Sequence, residues 1–524
     1  MQRKPLIKLK DFSFSYEKKQ NPILQNLNFS IYKGESTLLM GGSGSGKSTL
    51  ALCLNGLYPE AVEGFSSGEI YYRERNINDF ESGELNQNIG IVFQDPESQF
   101  CMIRVEDELA FTLENLSVPP SEMRSRIEEV LKQVNMSEFI ESKIHELSGG
   151  QKQKIALASV LLMEPELLIL DEPTANLDPL SSLEFIELIG ELQTKIDMSI
   201  LVIEHQADDW LPLINRVIVL NQSGELLEDG SPSEIFTKET QRLENQGLFL
   251  PKQYTGAPTR KRIPSLIKNA QPCLDLKDVA FKRKNKAILN HVSFNIHEGE
   301  FVAIVGQNGA GKSTLLQLMS RLMQPNEGEI KLYNTPLNDW TEKELRHVTG
   351  FVFQNPEHQF ITDTVYDEIV FGMKLNNEPD EKIESVASNL LRAFHLTDHK
   401  WSNPFTLSGG QKRRLSVATM LDETPGLLLF DEPTFGQDAQ TTNELMKIVT
   451  ELKMKGTSIV FVTHDMDLVD IYSDRVIVLN EGSLAFDGHP DDLWKNDELL
   501  AEARLRKPYR LEKAGEAVDL VNQP

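Results

Sequence analysis

Cysteine is scarce: Cys53, Cys101 and Cys273 are the only three in 524 residues, which excludes a disulfide scaffold and leaves no Cys-based zinc site. Missing too is any run near the roughly 18 consecutive apolar residues of a membrane span. Residues 1–10, Met-Gln-Arg-Lys-Pro leading into an alternating apolar–polar pattern, lack the apolar core of a signal peptide. Positive charge is in deficit, with 53 Lys and Arg against 79 Asp and Glu and a formal net charge of −26. That balance argues against a nucleic-acid partner, because affinity for phosphate backbones comes largely from clustered basic side chains. These absences predict a reduced, cytoplasmic, soluble chain. A content of 40% hydrophobic and 25% charged residues is that of a globular protein, and the length calls for more than one domain.

What is present is written twice. Gly41-Gly-Ser-Gly-Ser-Gly-Lys-Ser-Thr49 recurs as Gly306-Gln-Asn-Gly-Ala-Gly-Lys-Ser-Thr314. Ile91-Val-Phe-Gln-Asp-Pro-Glu-Ser-Gln-Phe100 recurs as Phe351-Val-Phe-Gln-Asn-Pro-Glu-His-Gln-Phe360, Leu147-Ser-Gly-Gly-Gln-Lys152 as Leu407-Ser-Gly-Gly-Gln-Lys412, and Leu170-Asp-Glu-Pro-Thr174 as Phe430-Asp-Glu-Pro-Thr434. The offset is 265 for the glycine loop and 260 for the other three, too long for a solenoid and right for two whole domains. The expected boundaries are a first domain at 1–250, a linker at 251–272, a second domain at 273–498 and a polar tail at 499–524. The linker holds four prolines, five basic residues and no acid, so it is a solvated spacer or a contact for anionic headgroups. Buried strands are expected at 36–40, 167–170, 200–203 and 217–220, with counterparts at 301–305, 427–430, 459–462 and 476–479. Helical stretches such as 123–134 and 151–163 fall between them, and such alternation implies mostly parallel sheets covered by helices.

Each motif has a physical reading. A strand, a glycine-rich loop, Lys-Ser and a helix together make a phosphate cradle, with backbone N–H groups turned inward at a helix start. In the first copy the cradle is Gly41, Gly42, Ser43, Gly44, Ser45, Gly46, Lys47, Ser48 and Thr49; in the second it is Gly306, Gln307, Asn308, Gly309, Ala310, Gly311, Lys312, Ser313 and Thr314. Lys47 and Lys312 would reach the β- and γ-phosphates, and the hydroxyls of Ser48 and Ser313 would bind Mg²⁺. Apolar strands running into Asp171-Glu172 and Asp431-Glu432 carry charge directly after a buried segment, which is costly unless a cation meets it. The first acid of each pair suits the Mg²⁺ shell and the second suits an attacking water. Ser148, Gly149, Gly150 and Gln151 open a helix, as do Ser408, Gly409, Gly410 and Gln411. Alone, either would be an ordinary cap, but recurrence in register makes each a second anion site.

The glycine loop with Lys-Ser, a Gln after an apolar strand, Leu-Ser-Gly-Gly-Gln, an apolar strand ending in Asp-Glu and a His after another apolar strand together resemble the ATP-binding-cassette ATPases. The resemblance covers nearly all of both halves and implies an α/β fold of two tandem P-loop NTPase domains, each with a mostly parallel sheet core and a helical subdomain. It implies ATP and Mg²⁺ as cofactors. It makes Gln94 and Gln354 the glutamines that link the metal site to the transport partner, Glu172 and Glu432 the catalytic bases, and His205 and His464 the switch histidines. Asp178 and Asp438 match the acids of the loop that follows. Ser48, Gln94 and Asp171, and Ser313, Gln354 and Asp431, become the metal sets. The family assembles cassettes head to tail, so Ser408–Gln411 would complete the site of Lys47, and Ser148–Gln151 that of Lys312, with both cassettes of the ATPase pair in one chain.

The copies differ. Tyr16 stands where such ATPases place an aromatic against adenine, and the register puts Arg283 there in the second copy. Ile203-Glu-His-Gln206 departs from the Thr463-His-Asp465 pattern, and Ala175-Asn-Leu-Asp178 from Phe435-Gly-Gln-Asp438, so two active sites of unequal rate are expected. The segments after Gln94 and Gln354, with Glu106–Glu108, Asp367 and Glu368, resemble the ATPases of energy-coupling factor transporters. Among these the chain is most similar to the fused double-cassette ATPases of hydroxymethylpyrimidine/thiamine importers. That resemblance implies a peripheral subunit on the cytoplasmic membrane face. Its partners would be a transmembrane coupling subunit and a substrate-binding membrane subunit, importing a vitamin or a metal ion such as cobalt or nickel. Two rivals are a double-cassette ATPase of a sugar importer, which usually carries one damaged half, and a soluble double-cassette translation factor, which favours a charged helical linker and a basic surface.

Overall fold

The computed structural model describes residues 4–18, 21–58, 61–81, 83–256, 272–284, 286–434 and 436–512. Most of the expected linker, 257–271, and the end of the tail, 513–524, lie outside the described residues, as does Phe435. The chain divides into two compact units, one taking in Met1–Gly256 and Asp438–Gln440, the other Ala257–Gln437 and Thr441–Pro524.

In the first unit the chain runs β1 (Pro5–Ser15), β2 (Ser36–Gly41), α1 (Lys47–Asn55), β3 (Phe65–Tyr72) and β4 (Ile89–Val92). Helices α2 (Val105–Asn115), α3 (Pro120–Gln133) and α4 (Gly149–Leu161) follow, then β5 (Leu167–Asp171), α5 (Pro179–Lys195), β6 (Ser199–Ile203), β7 (Arg216–Leu220) and β8 (Leu226–Gly230). The main sheet is ordered β8-β7-β2-β6-β5-β4, parallel except for β8. Every residue of β2, β4, β5 and β6 is buried, which is why they read as unbroken apolar runs rather than alternating ones. Alternate side chains nevertheless serve opposite faces. Leu38, Met40, Leu168, Leu170 and Val202 pack on the helical layer, while Leu39, Ile169, Leu201 and Ile203 pack on α1 and an antiparallel sheet built around β1 and β3. Helix α3 starts three residues before the expected 123 because Pro120 occupies its first turn, where a missing N–H costs nothing.

The second unit repeats the plan with β9 (Pro272–Arg283), β10 (Lys286–His297), β11 (Phe301–Val305), α6 (Lys312–Met319), β12 (Glu327–Leu332) and β13 (Thr349–Val352). Helices α7 (Val365–Leu375), α8 (Asp380–Ala393) and α9 (Gly409–Ala418) lead to β14 (Leu427–Asp431), α10 (Ala439–Met454), β15 (Ser458–Val462), α11 (Met466–Tyr472), β16 (Arg475–Asn480) and β17 (Ser483–Gly488). Its main sheet is ordered β13-β14-β15-β11-β16-β17, again parallel except at the last strand.

Two boundaries fall differently from the expected ones. Residues 251–256 belong to the first unit, where Lys252–Thr255 is a short helix and the Tyr254 ring lies 5.4 Å from that of Phe236. The described part of the tail belongs to the second unit. Helix α12 (Asp497–Glu502) crosses residue 498, and Leu499, Leu500 and Leu505 are buried with Val476 and Trp494. Arg510 closes this corner by donating to the buried Asp470 at 2.6 and 2.8 Å.

Candidate phosphate-binding and catalytic sites

In a parallel sheet the carboxyl ends of neighbouring strands open on one edge, where α/β proteins bind their ligands. The order β2-β6-β5-β4 therefore brings together four things far apart in sequence: the glycine loop after β2, His205 after β6, Asp171-Glu172 at β5 and Gln94 after β4. Gly46 sits at φ 89° just before α1, and a Cβ there would stand 2.6 Å from Leu24 Cδ2 and 3.0 Å from the Ile23 carbonyl oxygen. Only glycine lets the loop fold this tightly onto the helix start. Lys47 is buried and donates to the carbonyls of Gly41 at 2.9 Å and Gly42 at 3.2 Å. Burial lowers its ammonium pKa, while Glu172 and Asp171 pull it back up. Ser48 Oγ donates to Asp171 Oδ1 at 3.1 Å, and Gln94 Nε2 donates to Glu172 Oε2 at 2.9 Å. His205 Nε2 lies 3.1 Å from Glu172 Oε1.

The second unit reproduces this arrangement. Lys312 donates to the carbonyls of Gly306 at 2.8 Å and Gln307 at 3.0 Å, and Ser313 Oγ to Asp431 Oδ1 at 3.0 Å. Gln354 Nε2 donates to Glu432 Oε2 at 3.1 Å, and His464 Nε2 lies 3.0 Å from Glu432 Oε1. Both second acids hold strained left-handed backbone, φ 47° at Glu172 and 46° at Glu432. Each still donates its N–H to the neighbouring strand, Glu172 to Ile203 and Glu432 to Val462. Non-glycine residues keep such backbone only where the surroundings over-determine it, a frequent mark of working sites.

The electrostatics separate the two acids of each pair. Burial pushes the Asp171 carboxyl from the usual 3.8 up to about 6, against the bond from Ser48, and Asp431 is raised to about 6 for the same reason. Burial also raises Glu172 and Glu432, but the close approach of His205 or His464, with the charge of Lys47 or Lys312, holds both carboxyls below their usual value. A buried, reluctantly ionised Asp beside a serine hydroxyl and a glutamine amide is a donor set that fits a divalent cation. Ser45 Oγ is buried without a hydrogen-bond partner among the described residues, one more polar atom in a cradle shaped for an anion. An ionised Glu next to it can accept a proton from water.

The remaining sequence candidates sit as follows. Tyr16 is 42% exposed, with its hydroxyl 2.9 Å from Thr49 Oγ1 and its ring edge-on to Phe14. Arg283 is exposed at the end of β9. Ser148 caps α4 by accepting from the Gln151 N–H while Gln151 Oε1 accepts from the Ser148 N–H, and Ser408 and Gln411 form the same reciprocal cap on α9. Among the described residues no hydrogen bond joins Ser148–Gln151 to the Gly41–Thr49 loop of its own unit. Asp178 caps α5 by accepting from the N–H and hydroxyl of Ser181. Three residues that the motifs did not single out also touch these sites. Glu204 accepts from Thr174 Oγ1 at 2.6 Å, Asn176 Nδ2 donates to the Gln94 carbonyl at 2.9 Å, and Arg413 donates to the carbonyls of Phe353 and Gln354. The differences between the copies already set Glu204 against Thr463 and Asn176 against Gly436, and Gln153 stands in the same way at the place of Arg413.

Comparison with known proteins agrees. The ABC transporter family model matches residues 24–175 and 289–435. A Bacillus subtilis chain named as an HMP/thiamine import ATP-binding protein, YkoD, is 47% identical, covering 97% of this chain and 96% of its own length. An ABC transporter ATP-binding protein of Methanosarcina mazei is 33% identical over 96% of this chain and 92% of its own. The solved structure of cbiO1 from Clostridium perfringens, part of the ABC transporter complex cbiONQ, covers 47% of this chain and 99% of its own at 32% identity and a TM-score of 0.41. Two complete sets of loop, Asp-Glu pair, glutamine and histidine, read with the family model and the two sequence relatives, place the chain in the ABC transporter family as an ATPase with two ATP-binding cassettes.

Proposed function

We propose that the chain is the ATP-hydrolysing energy-coupling subunit of an importer of the energy-coupling factor type, and that its cargo is a vitamin-like micronutrient, hydroxymethylpyrimidine or thiamine first. The observation that carries this reading is the 47% identity, over nearly the full length of both chains, to a protein named for HMP/thiamine import. Two intact Asp-Glu pairs and two intact Leu-Ser-Gly-Gly-Gln segments support it over a sugar-importer ATPase with one damaged half. Among the described residues no helix is long and apolar enough to cross a membrane. That is consistent with a peripheral subunit on the cytoplasmic face, held by a transmembrane coupling subunit beside a substrate-binding membrane subunit.

Bound ATP and Mg²⁺ supply the transferable γ-phosphoryl group and the charge that neutralises it. Lys47 and Lys312, which donate to loop carbonyls in the structure, would turn to the phosphate oxygens of a bound nucleotide. Ser48, Asp171 and Gln94, with Ser313, Asp431 and Gln354, would hold the cation. Glu172 and Glu432 accept a proton from the attacking water, and His205 and His464, each about 3 Å from its carboxylate, fix that carboxylate's orientation. The test is purification of the chain from membranes with whatever subunits it retains, followed by uptake of labelled thiamine, hydroxymethylpyrimidine, cobalt and a sugar in reconstituted vesicles. The reading expects ATP-dependent uptake of hydroxymethylpyrimidine or thiamine, lost in Lys47→Ala/Lys312→Ala. Sugar uptake, or co-sedimentation with ribosomes rather than membranes, would overturn it.

A further inference from the structure

The two cassettes hold their metal-site glutamines from different elements. In the second unit Arg413, only 1% exposed, reaches from α9 and donates through Nη1 to the Phe353 carbonyl at 2.6 Å and through Nη2 to the Gln354 carbonyl. Its matching residue in the first unit is Gln153, equally buried, whose Nε2 has no hydrogen-bond partner among the described residues. There the Gln94 carbonyl is held by Asn176 Nδ2 at 2.9 Å, from the loop that follows the Asp-Glu pair. That loop is pinned again at Thr174, whose hydroxyl and N–H donate to the buried Glu204 at 2.6 and 3.3 Å. The second unit has Gly436 in place of Asn176, with no side chain to donate. It has Thr463 in place of Glu204, whose hydroxyl accepts from the Asp465 N–H at 3.0 Å.

Burying a guanidinium is expensive. Two backbone carbonyls and the nearby charge of Asp431 are what offset it here, and burial pulls the Arg413 pKa down to about 10, still protonated at neutral pH. A charge kept under those conditions, on a contact that joins the helix opened by Ser408 to the backbone of Gln354, has a positional use. Gln354 in turn donates to Glu432. A single chain of contacts thus runs from α9 through Arg413 and Gln354 to the catalytic carboxylate. In the first unit the corresponding chain runs from Glu204 through 174–176 to Gln94 and Glu172.

We propose that Arg413 is a positioning residue of the second cassette that sets Gln354 from the signature helix, while Asn176 sets Gln94 in the first cassette from the loop after the Asp-Glu pair. The inference rests on the reading of Gln94 and Gln354 as Mg²⁺-facing groups. It makes the metal affinity of each cassette sensitive to a different residue.

The experiment uses the full chain and a fluorescent ATP analogue, with affinity measured in Mg²⁺ and in EDTA. The Lys47→Ala background reads the second cassette and the Lys312→Ala background the first. Arg413→Gln, which installs the first cassette's residue, should cut the Mg²⁺-dependent gain in affinity roughly tenfold in the Lys47→Ala background, the loss typical of a misplaced outer-shell partner. In the Lys312→Ala background it should change that gain less than about twofold. Asn176→Gly should do the reverse. Arg413→Lys, which keeps one donor, should fall between, and it serves as the reporter if Arg413→Gln does not fold. Equal effects of Arg413→Gln in both backgrounds, or none in either, would overturn the inference. A parent chain whose nucleotide affinity ignores Mg²⁺ in both backgrounds would instead defeat the magnesium reading itself.

Discussion

Replacing Asp171 by Asn should make the nucleotide-free chain more stable at neutral pH, although it removes a proposed metal ligand. Burial raises the Asp171 pKa from 3.8 to about 6, so between those values the folded chain holds a proton that the unfolded chain has released. Stability therefore falls as pH rises through that window, and the cost is complete above it. At 1.36 kcal/mol per decade, the penalty at pH 7.5 is on the order of 3 kcal/mol. For a unit of this size that corresponds to roughly 5–10 °C in Tm. The amide keeps an oxygen to accept from Ser48, so the bond at 3.1 Å survives. Thermal melting of the full chain in EDTA from pH 4 to pH 8 reads the effect. Asp171→Asn should melt higher than the parent at pH 7.5, the two should converge near pH 4, and added Mg²⁺ with ATP should close the gap by stabilising the parent's first cassette. A variant no more stable at pH 7.5, or a gap independent of pH, would refute the claim that Asp171 is a strained charge awaiting a cation.

Other consequences follow from the same geometry. Burial holds Glu204 at about 8, well above the usual 4.5, so the parent should lose stability between pH 5 and 8. Glu204→Gln, which keeps an acceptor for Thr174, should flatten that slope by roughly a few kcal/mol in urea titrations. Gly46→Ala places a Cβ 2.6 Å from Leu24 Cδ2 at φ 89°; a cost of about 1–3 kcal/mol and loss of ATP binding to the first cassette are expected by melting and by titration in the Lys312→Ala background. With Tyr16 in one cassette and Arg283 in the other, Lys312→Ala should bind ATP more tightly than Lys47→Ala, by about 1–3 kcal/mol of base stacking. Tyr16→Arg in the Lys312→Ala chain should erase the difference, and equal affinities at the start would remove the argument.

Much of this could be read from the amino-acid order alone. The runs at 36–40, 167–170 and 200–203 announce buried parallel strands because a strand covered on both faces needs no polar positions, and each lies inside an observed strand. The glycine loops and the Asp-Glu pairs carry their chemistry in contiguous residues, so their meeting at one sheet edge follows once the strands are parallel. The antiparallel sheet around β1 and β3 is harder to see, because β3 begins with four exposed residues and has little apolar signal. Helix α12 was hidden in a tail that reads as polar, since only its Leu499 and Leu500 face the core. Arg413, Asn176 and Glu204 were legible only in part. Their identities differ between the copies, but their partners are backbone carbonyls and a hydroxyl on other elements, and no spacing rule reaches those.

The central claim is that this one chain carries two complete Mg²⁺–ATP sites, each anchored by its own loop lysine and buried Asp. Equilibrium dialysis of the Glu172→Gln/Glu432→Gln chain with labelled ATP measures it directly. The account predicts two nucleotides retained per chain in Mg²⁺, and one in either the Lys47→Ala or the Lys312→Ala derivative. A plateau at one nucleotide in the chain with both lysines, or binding that survives loss of both, would contradict it.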